Sequence, residues 1–182
     1  ALRSVIEAAC EGLGNHIDAS PIMTETIKNL YDGVPMAQVY DSAILASRTL
    51  IEKDPAYSQV TARILMHVIR KEILGREVLQ GDMQSEYPNY FPQFIRKGIE
   101  AELLDPRLLE FDLSKISAAL NADRDLQFNY LGLQTLYDRY FLHVRKTRIE
   151  LPQTFFMRVA MGLALNEIDR EARAIEFYEV LS

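Results

Sequence analysis

The sequence contains a single cysteine, Cys10, among 182 residues. One thiol cannot form an internal disulfide, and its isolation excludes a zinc site built from cysteines. Cys10 shares the apolar face of a predicted helix with Ile6, Ala9 and Leu13, which favours a buried free thiol. Glycine and proline are also scarce, with eight and seven copies, so few positions must interrupt a helix. These shortages favour long helices without covalent cross-links.

Long apolar runs and basic clusters are missing as well. No stretch approaches the roughly 20 apolar residues that a transmembrane helix needs. No basic segment followed by an apolar one opens the chain, so nothing indicates a secretory leader. We therefore expect a cytoplasmic protein with no membrane partner. The net charge is −6 and no basic stripe is present to displace counterions, so we expect no nucleic-acid partner either.

Signatures of metal and nucleotide sites are absent or incomplete. The histidines His16, His67 and His143 lie on different predicted elements, and none has a glutamate three positions before it. This excludes the Glu-x-x-His motif of di-iron helical bundles, and we expect no metal site. We expect His67 to lie at a helix boundary, bonded to backbone or water. Gly12 and Gly14 lack the third glycine of a dinucleotide-binding loop, and no Walker loop is present.

Two groups of charged residues are interpreted as structural. Arg124, within Asp123-Arg124-Asp125, could form a forked pair with carboxylates between helices, and we expect it to fix the helix arrangement. The carboxylates of the last predicted helix alternate with Arg170 and Arg173. That alternation is typical of a solvated helix face with ion pairs at three- and four-residue spacing.

Start and stop signals predict a mainly α-helical chain. The predicted helices are Leu2–Leu13, Ser20–Tyr31, one opened by Pro35, the longest between Asp54-Pro55 and Gly75, Phe94–Leu104, a short one at Asp105-Pro106, one capped by Asp112 or Ser114, Tyr130–Asp138, Gln153–Leu165 and Asp169–Leu181. The polar segment 76–92 contains Gly81, Pro88 and Pro92 and is interpreted as a linker. In 140–150, β-branched and aromatic residues flank Arg145-Lys146, which predicts one small β-hairpin.

Two stretches of the second half carry a family resemblance. Residues 130–142 read Tyr-Leu-Gly-Leu-Gln-Thr-Leu-Tyr-Asp-Arg-Tyr-Phe-Leu, and residues 150–160 read Glu-Leu-Pro-Gln-Thr-Phe-Phe-Met-Arg-Val-Ala. In the second stretch Pro152 suits the first turn of a helix, and apolar residues then repeat at helical spacing. Together the stretches resemble the helical N-terminal domain of the large subunit of class I ribonucleotide reductase. That family reduces ribonucleotides to deoxyribonucleotides by radical chemistry.

The first 75 residues resemble the ATP cone, the regulatory module at the N-terminus of the same large subunit. Leu13, Tyr31-Asp32-Gly33, Asp54-Pro55-Ala56-Tyr57 and Ala62-Arg63-Ile64-Leu65 follow one another in the order that this module shows. The joint resemblance implies three parts. Residues 1–75 form a truncated, bundle-like remnant of an ATP cone, 76–92 form a linker or boundary, and 93–182 form the helical N-terminal domain with its small hairpin.

The cone-like part departs from the family pattern at its effector site. The β-turn rich in Lys, Arg, Asp and Gly that holds effector phosphates is missing, and Ala1 stands where the family usually has a lysine. Met36 and Tyr40 replace a threonine and a histidine of the pattern, so only Lys71 matches the effector-binding residues. Triphosphate binding needs several cations or N–H donors that converge. The resemblance therefore implies that Lys71 is a vestigial effector contact and that ATP or dATP binds weakly or not at all.

The resemblance places catalysis outside this sequence. In the family the reactive cysteines lie in a barrel that follows the helical domain, so no catalytic residue is carried over and no cofactor is expected here. We expect a chain cut at both ends and inactive alone, with regulatory and scaffolding roles. Its partners would be the rest of the large subunit and a radical-generating small subunit, and the oligomeric state stays open. The alternatives are a cone-containing transcriptional repressor and a helical interaction module outside any enzyme.

Overall fold

Nine α-helices and one β-hairpin account for most of the chain, and the computed structural model describes all 182 residues. The elements are α1 Leu2–Cys10, α2 Ser20–Lys28, α3 Met36–Thr49, α4 Tyr57–Leu74, α5 Met83–Glu100, α6 Leu113–Ala118, α7 Tyr130–Thr135, β1 His143–Val144, β2 Thr147–Arg148, α8 Pro152–Ala164 and α9 Arg170–Leu181. The predicted fold class, mainly α with one small hairpin, is confirmed. None of the helices combines the length and apolar character needed to cross a membrane.

Local capping signals explain where several helices begin and end. The Asp54 carboxylate accepts a hydrogen bond from the backbone N–H of Ala56 at 2.9 Å, directly before α4. Gly75 ends α4 with φ of 76°, a left-handed conformation that favours glycine. Asp112 caps α6 by accepting the N–H of Lys115 at 3.2 Å. These signals act over a few residues, so they could be recognised in the sequence.

The linker predicted over 76–92 is wrong for most of its length. Residues from Met83 onward belong to α5, which continues through Pro88 and Pro92 to Glu100. Each proline removes one backbone donor and normally disfavours a helix interior. Here the aromatic side chains of α5 are fully buried at three positions, namely Tyr87, Phe91 and Phe94. Their packing offsets the two missing hydrogen bonds, so tertiary structure has overridden the local signal.

The hydrophobic core is continuous along the chain. One cluster of 36 buried residues includes members from residues 1–75, from α5 and from the last helices. Ile6, Ile64, Phe91 and Met157 all belong to it. The division of the chain into a part before 76 and a part after 92 stays a prediction, and the two parts share this core.

The hairpin is anchored to the core where its second strand ends. The strands pair antiparallel, with Val144 opposite Thr147. Arg145 occupies the turn with φ of 59°. Directly after the second strand, the hydroxyl of Tyr90 donates to the carbonyl of Ile149 at 2.5 Å. The predicted hairpin is thus confirmed.

The start of α8 carries a buried ion pair. Glu150 is fully buried, and its two oxygens accept from Arg158 Nε at 2.8 Å and Nη2 at 2.9 Å. The same carboxylate accepts the N–H of Leu142 at 2.8 Å. Burial raises the pKa of Glu150, and the bonds from Arg158 oppose this effect. A forked guanidinium contact of this kind fixes the entry to α8 relative to the hairpin.

Two helical glycines allow a matched test of the packing. A Cβ built on Gly98, which is buried in α5, would lie 2.7 Å from Cγ of Leu104, so we expect Gly98→Ala to destabilise the chain by about 1–2 kcal/mol. The same substitution at exposed Gly162 in α8 meets no atom within 4 Å. We expect Gly162→Ala to stabilise by about 0.5–1 kcal/mol, because alanine restricts the unfolded chain more than glycine. Urea unfolding of both variants measures this, and equal effects at the two sites would contradict it.

Candidate functional site

Helix α4 presents three basic side chains on one face. Arg63, His67 and Arg70 are spaced at four and three residues, which places them one above another along the helix. His67 and Arg70 are almost fully buried, with 2% and 4% of their surface exposed. All three line one cavity bounded by α1, α4 and the turn Ala122–Gln127. This face brings several polar groups into the interior.

His67 and Tyr40 share one carboxylate. Nε2 of His67 lies 3.1 Å from Oε1 of Glu77, and the Tyr40 hydroxyl donates to the same oxygen. Burial lowers the pKa of His67, which favours the neutral ring, and an ionised carboxylate can only accept, so Nε2 carries the proton. The hydrogen bonds from Tyr40 and His67 hold the pKa of Glu77 below its usual value, and the charge of Lys71 adds to this effect.

Arg70 connects α4 to the segment that follows it. Its Nε donates to the carbonyl of Val78 at 2.8 Å, and its Nη1 donates to Oε1 of Gln80 at 3.0 Å. Gln80 in turn donates to the carbonyl of Ala122 at 2.9 Å. The remaining terminal nitrogen, Nη2, lies 3.5 Å from Nδ1 of His67, which is long for a hydrogen bond. The Nη2 group of the buried Arg70 guanidinium therefore lacks a short hydrogen bond.

Asp125 is the centre of a second buried network. The Tyr87 hydroxyl lies 2.7 Å from Oδ2 and 2.9 Å from Oδ1, and Gln153 Nε2 donates to Oδ1 at 2.8 Å. Gln153 accepts from the Tyr178 hydroxyl at 2.6 Å, so the network reaches α9. Burial raises the pKa of Asp125 to about 6, against the hydrogen bonds from Gln153 and Tyr87 and the charge of Arg70.

A cavity of about 40 Å³ lies between the two networks. Arg63, Arg70 and Asp125 line it, yet no ion pair joins the carboxylate of Asp125 to either arginine. Arg63 uses one terminal nitrogen to bind the carbonyls of Ala9 and Glu11 at 3.3 and 2.8 Å. Its Nε is buried and has no hydrogen-bond partner in the protein.

Of the residues predicted for the effector site, Met36 and Tyr40 lie on α3, and Lys71 lies near the end of α4. Met36, at the start of α3, is 37% exposed, whereas Tyr40 is buried and bound to Glu77. Lys71 is half-buried, and its ammonium forms no hydrogen bond or ion pair. Glu77 places a negative charge beside Tyr40, and the charge of Lys71 acts on the same carboxylate.

The interpretation of His67 as a helix-boundary residue is wrong. Its side chain is buried in the middle of α4, and its Nε2 is bound to the Glu77 carboxylate. The prediction for His67 failed because its partner, Glu77, lies beyond the C-terminal end of α4. The turn that follows the helix brings the Glu77 carboxylate back beside His67. Helical spacing carries no information about such a return.

Arg124 does not form the predicted fork with carboxylates. It donates to the carbonyl of Glu179 at 3.3 Å and to the hydroxyl of Ser182. Its guanidinium carbon also lies 5.3 Å from the centroid of the Tyr178 ring, a distance at which a cation is attracted to the ring face. Arg124 therefore fixes the turn Ala122–Gln127 against α9, as expected, but through neutral groups.

Sequence reasoning named Asp125 and Gln153 within motifs, but it missed Glu77 and the contacts of all three residues. Glu77, Asp125 and Gln153 contact partners 10 to 38 positions away, so helical spacing gave no indication of their contacts. The available signals were Gln153 directly after Pro152 at a helix start, and a carboxylate shortly before Phe128. No group of three or more His, Cys, Asp or Glu side chains converges as metal ligands would.

The buried carboxylate makes stability depend on pH. Asp125 has a pKa of about 6 in the fold against an ordinary 3.8, so the folded chain holds this proton more tightly than the unfolded chain. The contribution of Asp125 to stability therefore falls as pH rises from about 4 to about 6, by about 3 kcal/mol between its two limits. An asparagine at this position does not titrate. The free energy of unfolding of Asp125→Asn should thus gain about 2 kcal/mol on the wild type between pH 4 and pH 7.5.

The control is Asp123→Asn at the exposed neighbouring carboxylate, which should follow the wild type across the same pH range. Urea unfolding of the three proteins at both pH values gives the comparison. A difference between Asp125→Asn and the wild type that stays constant with pH would contradict the burial argument.

Comparison with known proteins gives concordant matches. The sequence profile of the ribonucleotide reductase all-alpha domain matches residues 126–182. The chain is 41% identical over 174 residues to the ribonucleoside-diphosphate reductase subunit alpha of Chlamydia trachomatis, covering 96% of this chain and 17% of that protein. It is 35% identical over 153 residues to subunit alpha of Helicobacter pylori, covering 83% of this chain and 18% of that protein.

A vertebrate relative extends the match. The large subunit of ribonucleoside-diphosphate reductase from Danio rerio is 32% identical over 184 residues, covering 100% of this chain and 22% of that protein. The chain thus spans about a fifth of the length of these relatives. The matched stretch lies in their N-terminal region.

Proposed function

Because the chain belongs to the family of ribonucleoside-diphosphate reductase large subunits, we propose that it is the regulatory and scaffolding N-terminal region of such a subunit. The parent enzyme is an oxidoreductase that reduces ribonucleoside diphosphates to deoxyribonucleotides. The observation that carries the proposal is the 41% identity over 96% of this chain. The catalytic cysteines would lie in the following barrel, so this region alone is inactive and needs no cofactor of its own.

The internal packing of residues 150–160, which carry part of the family resemblance, supports the scaffolding role. Glu150 is buried against Arg158 within the same chain, and Gln153 binds Asp125. In the alternative of a free interaction module, the Pro-Gln-x-x-Phe helix would dock on a partner. Its polar residues are instead used internally, between the hairpin, α5 and the turn Ala122–Gln127. This favours a rigid support for a neighbouring domain.

The cone-like part is proposed to be degenerate as an effector site. Lys71 is the single cation that matches the effector-binding pattern, and its charge acts on the Glu77 carboxylate. Tyr40 and His67 are bound to that carboxylate as well. A triphosphate would have to displace these contacts and approach a negative charge, with one ammonium in return. Lys71 is therefore vestigial, and ATP or dATP acts on the parent enzyme elsewhere.

Partners of the region follow from the same proposal. Leu163, Ile168 and Val180, on and between α8 and α9, are more than half exposed, and apolar side chains of this kind are suited to contact the remainder of the large subunit. A radical-generating small subunit completes the enzyme, which would act in the cytoplasm. Assembly into larger oligomers is compatible with this arrangement.

Calorimetric titration tests the degenerate site. We expect no saturable heat when dATP at micromolar concentration is titrated into the chain, because one half-buried lysine does not hold a triphosphate. Lys71→Ala is the matched control and should give the same trace. Saturable micromolar binding that Lys71→Ala abolishes would contradict the proposal for this site while leaving the family assignment intact.

Reconstitution tests the function as a whole. The full-length protein that contains this chain, combined with a metal-bearing small subunit and a dithiol reductant, should form deoxyribonucleoside diphosphates. Residues 1–182 alone should form none in the same assay. A reading frame that closes shortly after Ser182, or that continues without cysteines, would refute the proposal.

A further inference from the structure

The cavity between α1, α4 and the turn Ala122–Gln127 is lined by one buried polar atom with no partner and by two charged side chains whose contacts lie mainly elsewhere. Arg63 Nε has no hydrogen-bond partner. Arg70 Nη2 has one contact, at 3.5 Å to His67. Asp125 accepts from Gln153 and from the Tyr87 hydroxyl, which its two oxygens share. Buried polar groups are normally satisfied, and an exception indicates an occupant of the space beside them.

The size of the cavity limits what that occupant can be. Its volume is about 40 Å³, and one water needs roughly 10–15 Å³ measured in this way. Two or three water molecules therefore fit, whereas a nucleotide or a sugar does not. Apolar side chains of Val5, Ala9 and Met66 form much of the remaining wall, so polar contacts are confined to the side that carries the charges.

The charges select between water and a small anion. Two guanidinium groups alone would favour an anion, but Asp125 lines the same space, and its negative charge would repel an anion. A water molecule can accept from a guanidinium and donate to a carboxylate at the same time, which an anion cannot do. Water thus matches both the donors and the acceptor of the cavity wall.

We propose that this cavity is a binding site for ordered water, which bridges Arg63 and Arg70 to the Asp125 carboxylate. The bridge would tie α1 to the later part of the chain, because Arg63 also binds the carbonyls of Ala9 and Glu11 at the end of α1. It adds to the direct contact of Arg63 with the carbonyl of the residue after Asp125, at 3.4 Å. The inference does not depend on the proposed function.

Bound water has a measurable effect on Asp125. The titratable and charged groups that face this carboxylate or its cavity come from α4, α5 and α9, and they are Arg63, His67, Arg70, Tyr87 and Tyr178. These groups stay in place when the water is displaced. Loss of the bridge would remove solvation from the ionised carboxylate and raise its pKa.

A crystal structure of the chain, grown near pH 7.5 with bromide replacing chloride, tests occupancy directly. We expect water density within hydrogen-bond distance of Arg63 Nε and Asp125, and no anomalous bromide signal in the cavity. Three results would overturn the proposal: an empty cavity, a bromide ion in it, or side chains that have closed it by a direct contact between Arg70 and Asp125.

A cavity-filling variant tests the same proposal in solution. Ala9 lines the cavity and is 3% exposed, so the larger side chain of Ala9→Val should displace the water. The carboxyl carbon signal of Asp125 is followed by NMR as pH is varied. In Ala9→Val this titration should give a proton affinity of Asp125 at least tenfold higher than in the wild type. Ala172→Val, at an exposed position of α9, is the matched control and should leave it unchanged. An unchanged Asp125 titration in folded Ala9→Val would refute the bridge.

Discussion

A buried carboxylate with no cation in direct contact needs hydrogen-bond donors at fixed positions, and this requirement organises the chain around Asp125. Tyr87 and Gln153 supply hydrogen bonds from α5 and α8, and Tyr178 extends the network from α9. Elements far apart in sequence are thereby held in one relative position. A hydrophobic core alone tolerates small sliding of helices, whereas hydrogen bonds to a fixed pair of oxygens do not.

The helices could be predicted from the sequence wherever their ends carry a local signal. Asp54, Gly75 and Asp112 act within a few residues of themselves, so the pattern alone was sufficient. Most of helix α5 was missed because Pro88 and Pro92 oppose a helix locally, and the packing of its aromatic residues is a tertiary effect. Sequence patterns describe neighbours along the chain, and α5 depends on neighbours in space.

The same limit applies to the hydrogen-bond networks around Glu77 and Asp125, whose members are far apart in the sequence. Tyr40 and Lys71 were identified from a family pattern, but their dependence on Glu77 was not, since Glu77 lies 37 positions from Tyr40. Gln153 was noticed as part of a motif, while its partner Asp125 lies 28 positions away. The sequence motifs identified these residues as candidates. Their hydrogen-bond partners could be identified only from the folded structure.

The hairpin tip has a practical use. Residues 143–147 are exposed, and the tip cations Arg145 and Lys146 form no ion pair, while Phe141 and Ile149 on either side are buried. Both ends of the loop are therefore held independently of its tip. A fluorophore or an inserted peptide tag between Arg145 and Lys146 would report on this region without entering the core.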